Sequence, residues 1–243
     1  LPVAHGEAGL RSFNRGMPEE TNRVLTDHVS DLLFCPTQTA VQNLAAEGIT
    51  EGVHNIGDVM YDAVLYYADR AEDHSDIIDR LHLEAKSYLL MTIHRPRNTD
   101  DSDNLRAILR GVSETQEIVV LPAHPRTKKV LNEKGTLVPS NVRLTEPVGY
   151  LDFLQLQRNA RMILTDSGGI QKEAYFFGVP CVTLRDETEW VETVGAGWNR
   201  LAGADTDGIR HAIRDWAPSA ARPDLFGDGQ AAGKLVELLE EAQ

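Results

Sequence analysis

Several short apolar runs in this chain end directly in residues able to hold a phosphate or move a proton. The fullest such constellation is Thr165-Asp166-Ser167-Gly168-Gly169-Ile170-Gln171-Lys172-Glu173, which follows Met162-Ile163-Leu164 and opens a helix-forming stretch. A Ser-Gly-Gly turn at the carboxyl end of a strand presents backbone N–H groups and a helix N-terminus, and both favour an anion such as phosphate. Ser167 adds a hydroxyl donor. Glu173, one turn into the helix, would repel a phosphate but could accept from two ribose hydroxyls. A Gly-Gly pair alone fits an ordinary strand–turn–helix connection equally well. The whole context favours phosphate binding.

His94-Arg95-Pro96-Arg97-Asn98 follows the apolar run 88–93, and His124-Pro125-Arg126 follows 118–122. Each puts a switchable donor at a strand end, and His94-Arg95 adds a fixed cation suited to a diphosphate. A solvated basic loop would also explain Pro96 and Asn98. Recurrence at three strand ends strengthens all three, because parallel strand ends converge on one crevice. Near the start, Glu7 ends a strand-like run, while Glu19 and Glu20 open a helix with Arg23 four residues beyond Glu19. Carboxylates in a cleft can serve as general acid and base. Glu19 and Glu20 equally suit the positive end of a helix.

The elements that must position these residues alternate regularly. Strands are predicted over 2–5, 31–35, 52–56, 88–94, 117–122, 142–145, 162–165 and 180–184. Helices are predicted over 18–29, 37–47, 58–71, 103–116, 125–134, 152–159, 169–177, 205–215 and 229–242. Short apolar strands alternating with amphipathic stretches imply an α/β, doubly wound fold. Three strands precede a break near Gly57 and five follow it. The expected domains are therefore 1–57, the back part of a Rossmann-like domain; 58–225, a complete one; and 226–243, a last helix packing back on the first domain. The chain starts at Leu1 inside a predicted strand, so the front of the first domain is expected to lie upstream.

Composition narrows the function classes. The chain has 243 residues, 42% of them hydrophobic, with 24 Lys and Arg against 37 Asp and Glu, a net charge of −13. That balance argues against partners such as nucleic acid or anionic membrane, while allowing a local basic pocket. Only six of the cations are lysines. Acidity with few lysines suits a high-salt cytoplasm, or simply acidic solubility with an arginine-rich bias. Cys35 and Cys181 are far apart and form neither a disulfide framework nor a zinc spacing. No apolar run approaches the ~18 residues of a membrane span. A cytoplasmic protein using no metal and no cofactor is expected.

His5-Gly6-Glu7-Ala8-Gly9-Leu10-Arg11, Pro18-Glu19-Glu20-Thr21-Asn22-Arg23, His94-Arg95, Glu146-Pro147-Val148-Gly149-Tyr150-Leu151-Asp152-Phe153 and the 164–173 segment together resemble the non-hydrolysing UDP-N-acetylglucosamine 2-epimerases in content and order. The resemblance implies a fold of two Rossmann-like domains, like GT-B glycosyltransferases, with the active site between them and a homodimer when full length. It implies interconversion of UDP-GlcNAc and UDP-ManNAc by loss of the C2 proton, departure of UDP from C1, and re-addition. Ser167, Gly168, Gly169 and Glu173 would hold UDP, with Val148 and Phe153 flanking the uracil. His94 would stabilise the leaving diphosphate. Glu7 and Glu19 would stand at the sugar with Arg23 beside them, and Arg95 and His124 would belong to an effector region.

The chain also departs from the family pattern. An opening phosphate motif and one acidic catalytic residue would precede Leu1, so the chain by itself is expected to bind UDP weakly and to be inactive. His-Arg-Arg-Glu-Asn is more usual than His94-Arg95-Pro96-Arg97-Asn98, and Trp190 stands where a ligand-contacting Arg is common. The Trp190 variant allows a different UDP-sugar, such as an N-acetylated uronic acid. The alternative classes are a GT-B-type UDP-sugar glycosyltransferase and a non-catalytic UDP-sugar binder.

Overall fold

The computed structural model describes residues 2–123, 125–133 and 135–242, without the side chains at positions 125, 126 and 132. In chain order the elements are β1 (Ala4–Gly6), α1 (Pro18–Val29), β2 (Leu32–Cys35), α2 (Gln38–Ala46), β3 (Val53–Asn55), α3 (Val59–His74), α4 (Ile77–Arg80), β4 (Tyr88–Thr92), α5 (Pro96–Thr99), α6 (Ser102–Ser113) and β5 (Ile118–Pro122). They continue with α7 (Pro125–Glu133), β6 (Val142–Thr145), α8 (Tyr150–Asn159), β7 (Met162–Thr165), α9 (Gly168–Phe176), β8 (Cys181–Thr183), α10 (Val191–Gly195), β9 (Asn199–Leu201), α11 (Thr206–Asp215) and α12 (Ala231–Glu241). Two compact units result: one holds the chain up to Tyr66 and from Pro223 onward, the other holds Tyr67–Arg222.

The first unit is a parallel sheet in the order β1-β2-β3. Its core joins Phe34 and Ile56 to Ala231, with Leu235, Leu238 and Leu239 of α12 packed against them. Those three leucines follow the three- and four-residue spacing of one helix face. Gly57 (φ 90°) lies where the chain leaving β3 meets the returning segment. A Cβ there would fall 2.8 Å from the Phe226 carbonyl oxygen, and the Asp58 N–H donates to that oxygen.

The second unit is a six-stranded parallel sheet in the order β6-β5-β4-β7-β8-β9. Successive side chains of a strand point to opposite faces, and here both faces are buried. Leu89, Met91, Val119, Leu121, Met162 and Leu164 enter one core with Leu105, Ile108 and Ile209. Tyr88, Leu90, Val120 and Ile163 enter the other with Leu156 and Ala174. Helix starts follow local chemistry. Asp101 caps α6 by accepting from Asp103 and Asn104 N–H, and Asp205 caps α11 by accepting from Gly208 N–H. Such caps offset part of the cost of the open first turn.

The sequence reading missed some elements. This sheet has six strands, not five: β9 is the mixed triplet Asn199-Arg200-Leu201, too short and polar to register as an apolar run. Helices α4, α5 and α10 are one-turn elements below the length at which periodicity is visible. Strand β4 stops at Thr92, two residues short of the predicted end. Among the described residues no helix is long and apolar enough to cross a membrane.

Candidate active site

The order β6-β5-β4-β7-β8-β9 turns in opposite directions from the β4–β7 pair. The sheet's topological switch point therefore lies between these two strands, where open α/β sheets bind ligands beyond the carboxyl ends. Thr92 pairs in register with Thr165, and their hydroxyls share a 2.6 Å hydrogen bond. Parallel pairing carries the next residues of both strands out of the same edge, so His94 and Asp166 meet there.

Asp166 is fully buried. It accepts from the backbone N–H of His94 (3.1 Å) and Arg95 (3.0 Å) and from the Asn98 side-chain amide (3.0 Å). His94 Nδ1 lies 3.0 Å from its other oxygen. Burial alone would raise the Asp166 carboxyl, but His94, the Arg95 amide and Asn98 outweigh it and hold the group below its ordinary 3.8. An ionised carboxylate only accepts. His94 therefore carries its proton on Nδ1 toward Asp166 and presents Nε2 from a half-exposed ring. Arg95 is anchored as well, its Nε donating to the Asp166 carbonyl. Asn98 lies buried between Asp166 and the Leu184 carbonyl rather than in a solvated loop. Arg97 reaches outward to pair with Asp186.

Ser167 is the N-cap residue of α9, yet its side chain makes no capping bond. Its N–H donates to the Thr165 hydroxyl (3.0 Å). Gly168 has a packing reason to be glycine beyond access for an anion: a Cβ would fall 2.3 Å from Glu189 Oε1. Glu189 is buried and pairs with buried Arg185 at 3.0 Å. Trp190 is also buried, with the Lys172 ammonium 4.3 Å from its ring centroid, a favourable cation–π arrangement. Glu173 is buried on α9, and burial raises its carboxyl above the ordinary 4.5. Val148 and Phe153, flanking the start of α8, pack against the same core as Ile170 of α9. His124 lies outside the described residues.

In the first unit Glu7 sits just after β1, exposed and in the left-handed region at φ 62°. For a non-glycine residue this costs about 1–3 kcal/mol and persists only where the surroundings impose it. Buried Asp27 supplies that constraint. It accepts from His5 Nδ1 (2.6 Å), Arg11 Nη1 (2.6 Å) and Gly9 N–H (3.1 Å). Arg11 also forms a two-point pair with Glu47 at 2.7 and 2.8 Å, and the Ala8 N–H donates to the Phe34 carbonyl. The loop bearing Glu7 is thus tied at residues 5, 8, 9 and 11.

Glu19 stands exposed in the first turn of α1. Arg23 pairs with Glu20 at 3.0 Å, not with Glu19 as the four-residue spacing suggested. Glu20 is buried and accepts from Ser12 N–H, Ser12 hydroxyl and Phe13 N–H, which fixes the loop entering α1. The three-residue spacing on a helix serves pairing as well as four does.

The structure thus brings His94, Arg95, Ser167, Gly168, Gly169 and Glu173 to one sheet edge in the second unit; in the first, Glu7 lies in the loop after β1 and Glu19 and Arg23 lie on α1. Sequence reasoning gave no role to Asp166, Asn98, Asp27 or Gln157. Asp166 did leave a signal, as an acid directly between a strand and the Ser-Gly-Gly turn. Among the described residues no group of three or more His, Cys, Asp or Glu is placed to hold a metal ion.

Comparison with known proteins addresses the whole chain. The family model described as UDP-N-acetylglucosamine 2-epimerase matches residues 1–240. A UDP-N-acetylglucosamine 2-epimerase homolog of Methanococcus maripaludis is 50% identical, over 98% of this chain and 69% of its own length. The UDP-2,3-diacetamido-2,3-dideoxy-D-glucuronate 2-epimerase of Pseudomonas aeruginosa is 46% identical, over 98% and 68%. The crystal structure of Methanocaldococcus jannaschii UDP-GlcNAc 2-epimerase in complex with UDP-GlcNAc and UDP superposes with a TM-score of 0.89 at 41% identity, covering 99% of this chain and 69% of that one. The fold class is the expected one, α/β with Rossmann-like parallel sheets and GT-B-like. The chain belongs to the UDP-N-acetylglucosamine 2-epimerase family and is an epimerase.

Proposed function

We propose that this epimerase interconverts UDP-GlcNAc and UDP-ManNAc without net hydrolysis. The observation that carries the reading is the switch-point edge itself. There a His94–Asp166 pair stands beside a Ser167-Gly168-Gly169 helix start, and Glu173 lies one turn along the same helix. In this reading the diphosphate lies on the turn, drawn by backbone N–H groups and the helix dipole. The Ser167 hydroxyl, unspent on capping, donates to it. Glu173 accepts from the ribose hydroxyls, and Val148 and Phe153 flank the uracil.

The reaction divides the labour between charge and proton. A carboxylate removes the proton from C2 as the C1–oxygen bond breaks. The bonding pair leaves with UDP and a C1–C2 double bond forms. His94 faces the departing diphosphate, where a ring protonated on both nitrogens, its Nδ1–H held by Asp166, donates from Nε2 and lowers the cost of the developing charge. UDP then adds back to C1, and a second acid returns a proton to the opposite face of C2. Glu7 and Glu19 are the proposed acid–base groups, with Arg23 beside them; His124 and Arg95 are the proposed effector contacts. A strained, tightly tethered Glu7 supports this assignment, because such outliers gather where geometry matters.

A second reading is favoured by one observation. Trp190 is buried against Lys172 beside the turn, and a relative 46% identical acts on a diacetamido uronic acid. On this reading the sugar carries a C6 carboxylate. Proton NMR in D2O separates the possibilities. An epimerase exchanges the C2 hydrogen of its own UDP-sugar for deuterium without any acceptor, so UDP-GlcNAc and the diacetamido uronate are supplied in turn. Exchange in only the uronate selects the second reading. Transfer to an acceptor without C2 exchange refutes both in favour of a glycosyltransferase.

A further inference from the structure

Glu173 does not stand alone on α9. Its Oε2 receives the Gln157 side-chain amide at 2.5 Å, and its Oε1 receives the Tyr150 hydroxyl at 3.4 Å. Both partners come from α8. Seven residues is close to two helical turns, so Tyr150 and Gln157 lie one above the other on a single helix face. Gln157 is fully buried, and its own carbonyl oxygen Oε1 has no hydrogen-bond partner among the described residues. A buried, half-satisfied amide costs about 1–3 kcal/mol. An apolar residue of the same size would remove that orphaned oxygen while costing Glu173 one donor, so stability alone does not select glutamine here. The Tyr150 ring is itself steadied by an edge-on contact with Tyr67 at 5.7 Å.

We propose that Tyr150 and Gln157 are positioning residues, which hold the Glu173 carboxylate from one face of α8 in the orientation that accepts two vicinal hydroxyls of a ribonucleotide. The proposal rests on the reading of this edge as a uridine nucleotide site. It makes α8 a recognition element as a whole. Phe153, on the same helix between the two, serves the base, while Tyr150 and Gln157 set the group that serves the ribose. The two donors divide the two carboxylate oxygens between them, leaving each oxygen a further lone pair for one hydroxyl. Specificity for ribose over 2′-deoxyribose then depends on residues that never touch the nucleotide.

The charged and titratable neighbours acting on Glu173 are Lys172 of its own helix and Tyr150 of α8. Burial raises Glu173, while Gln157, Tyr150 and Lys172 draw it back down. Losing the Gln157 donor therefore moves Glu173 further up, and nucleotide binding begins to fail at a higher pH.

The test uses the full chain, with calorimetry of UDP and 2′-deoxy-UDP across pH and thermal unfolding of each variant. Gln157→Leu should bind UDP about tenfold more weakly, bind 2′-deoxy-UDP nearly as before, shift the acid limb of UDP binding upward, and unfold within a few degrees of the parent, the lost donor being offset by removal of the orphaned amide oxygen. Tyr150→Phe should show a smaller effect of the same kind, and Gln157→Asn should not rescue it, being one methylene too short. If Gln157→Leu keeps both the UDP preference and the pH limb, the proposal is wrong. If Glu173→Ala also leaves the preference untouched, the nucleotide reading of this edge falls instead.

Discussion

Asp166→Asn tests the central pair of the site, because it changes one atom and reverses one hydrogen bond. The carboxylate takes three donors on Oδ2, from His94 N–H, Arg95 N–H and the Asn98 amide, and faces His94 Nδ1 with Oδ1. Asparagine offers a single acceptor oxygen. It keeps the larger group of donors by placing oxygen at the Oδ2 position, which turns its NH2 toward His94 Nδ1. Only an imidazole with a bare Nδ1 can accept there, so the ring's proton moves to Nε2. Hydrogen bonds to a charged group contribute roughly 1.5–3 kcal/mol and neutral ones roughly 0.5–1.5. Loss of charge assistance over this set should cost about 2–3 kcal/mol of stability, read from urea unfolding. Nitrogen-15 NMR of the imidazole should show the tautomer exchanged. The UDP-sugar C2 exchange rate should drop about a hundredfold, because a neutral amide no longer supports the doubly protonated ring that meets the leaving diphosphate. A variant that keeps the proton on Nδ1 and exchanges C2 hydrogen at the parent rate would refute the reasoning.

Other perturbations follow from the same geometry. Ser167→Ala should weaken UDP by roughly 0.5–1.5 kcal/mol and Glu173→Ala by more, through two lost ribose contacts; calorimetry decides, and unchanged affinity in both removes the nucleotide from this turn. Gly168→Ala should cost about 1–3 kcal/mol by forcing the added methyl against the Glu189 carboxylate, seen as a lower unfolding temperature. Asp27→Asn should destabilise the first unit by about 1.5–3 kcal/mol, because buried Arg11 keeps Glu47 but loses its second carboxylate; it should also free the Glu7 loop, visible as faster amide exchange at residues 5–11. Asp27 and Glu20 are both held below their ordinary 3.8 and 4.5, against the opposing pull of burial, by hydrogen bonds and by Arg11 and Arg23. Their stabilisation is complete above those ordinary values and is lost as pH falls through the lower folded values. An acid titration should therefore unfold the first unit below about pH 4, and a flat stability curve down to pH 2 would contradict it.

The parts of the molecule legible in the sequence are those governed by short-range pattern. Strands β6 and β7 coincide with their predicted bounds, because short runs rich in β-branched and aliphatic side chains between turn signals admit few other structures. Elements of three or four residues, such as β9 and α5, carry too little pattern to separate from a loop. The same distinction runs through the site. Motif residues at strand ends could be picked out one by one, whereas the groups that hold them could not. Asp27 orients a loop 16 or more residues away in sequence, and Gln157 reaches Glu173 across a helix pair. Such partners are chosen by tertiary packing. Arg23 shows the limit at close range: three- and four-residue spacings are equally good, and only the buried position of Glu20 decides between them.

The first unit is built from two stretches of chain that are distant in sequence, and this dictates an order of events during synthesis. Phe34 and Ile56 emerge from the ribosome early, but the leucines of α12 that cover them emerge only after the entire second unit. Closing that contact spans on the order of 170 residues if the intervening chain is unfolded, a loop whose entropy cost grows only with the logarithm of its length. Once the second unit has folded, its ends are already fixed and the search is shorter. The nascent chain therefore carries an uncovered apolar face for most of its elongation, the kind of surface that chaperones recognise. A nonsense mutation or protease cut between α11 and α12 would leave the core of the second unit complete while depriving the first unit of the helix that covers its apolar face. The damage would fall on a part of the protein made long before the lesion.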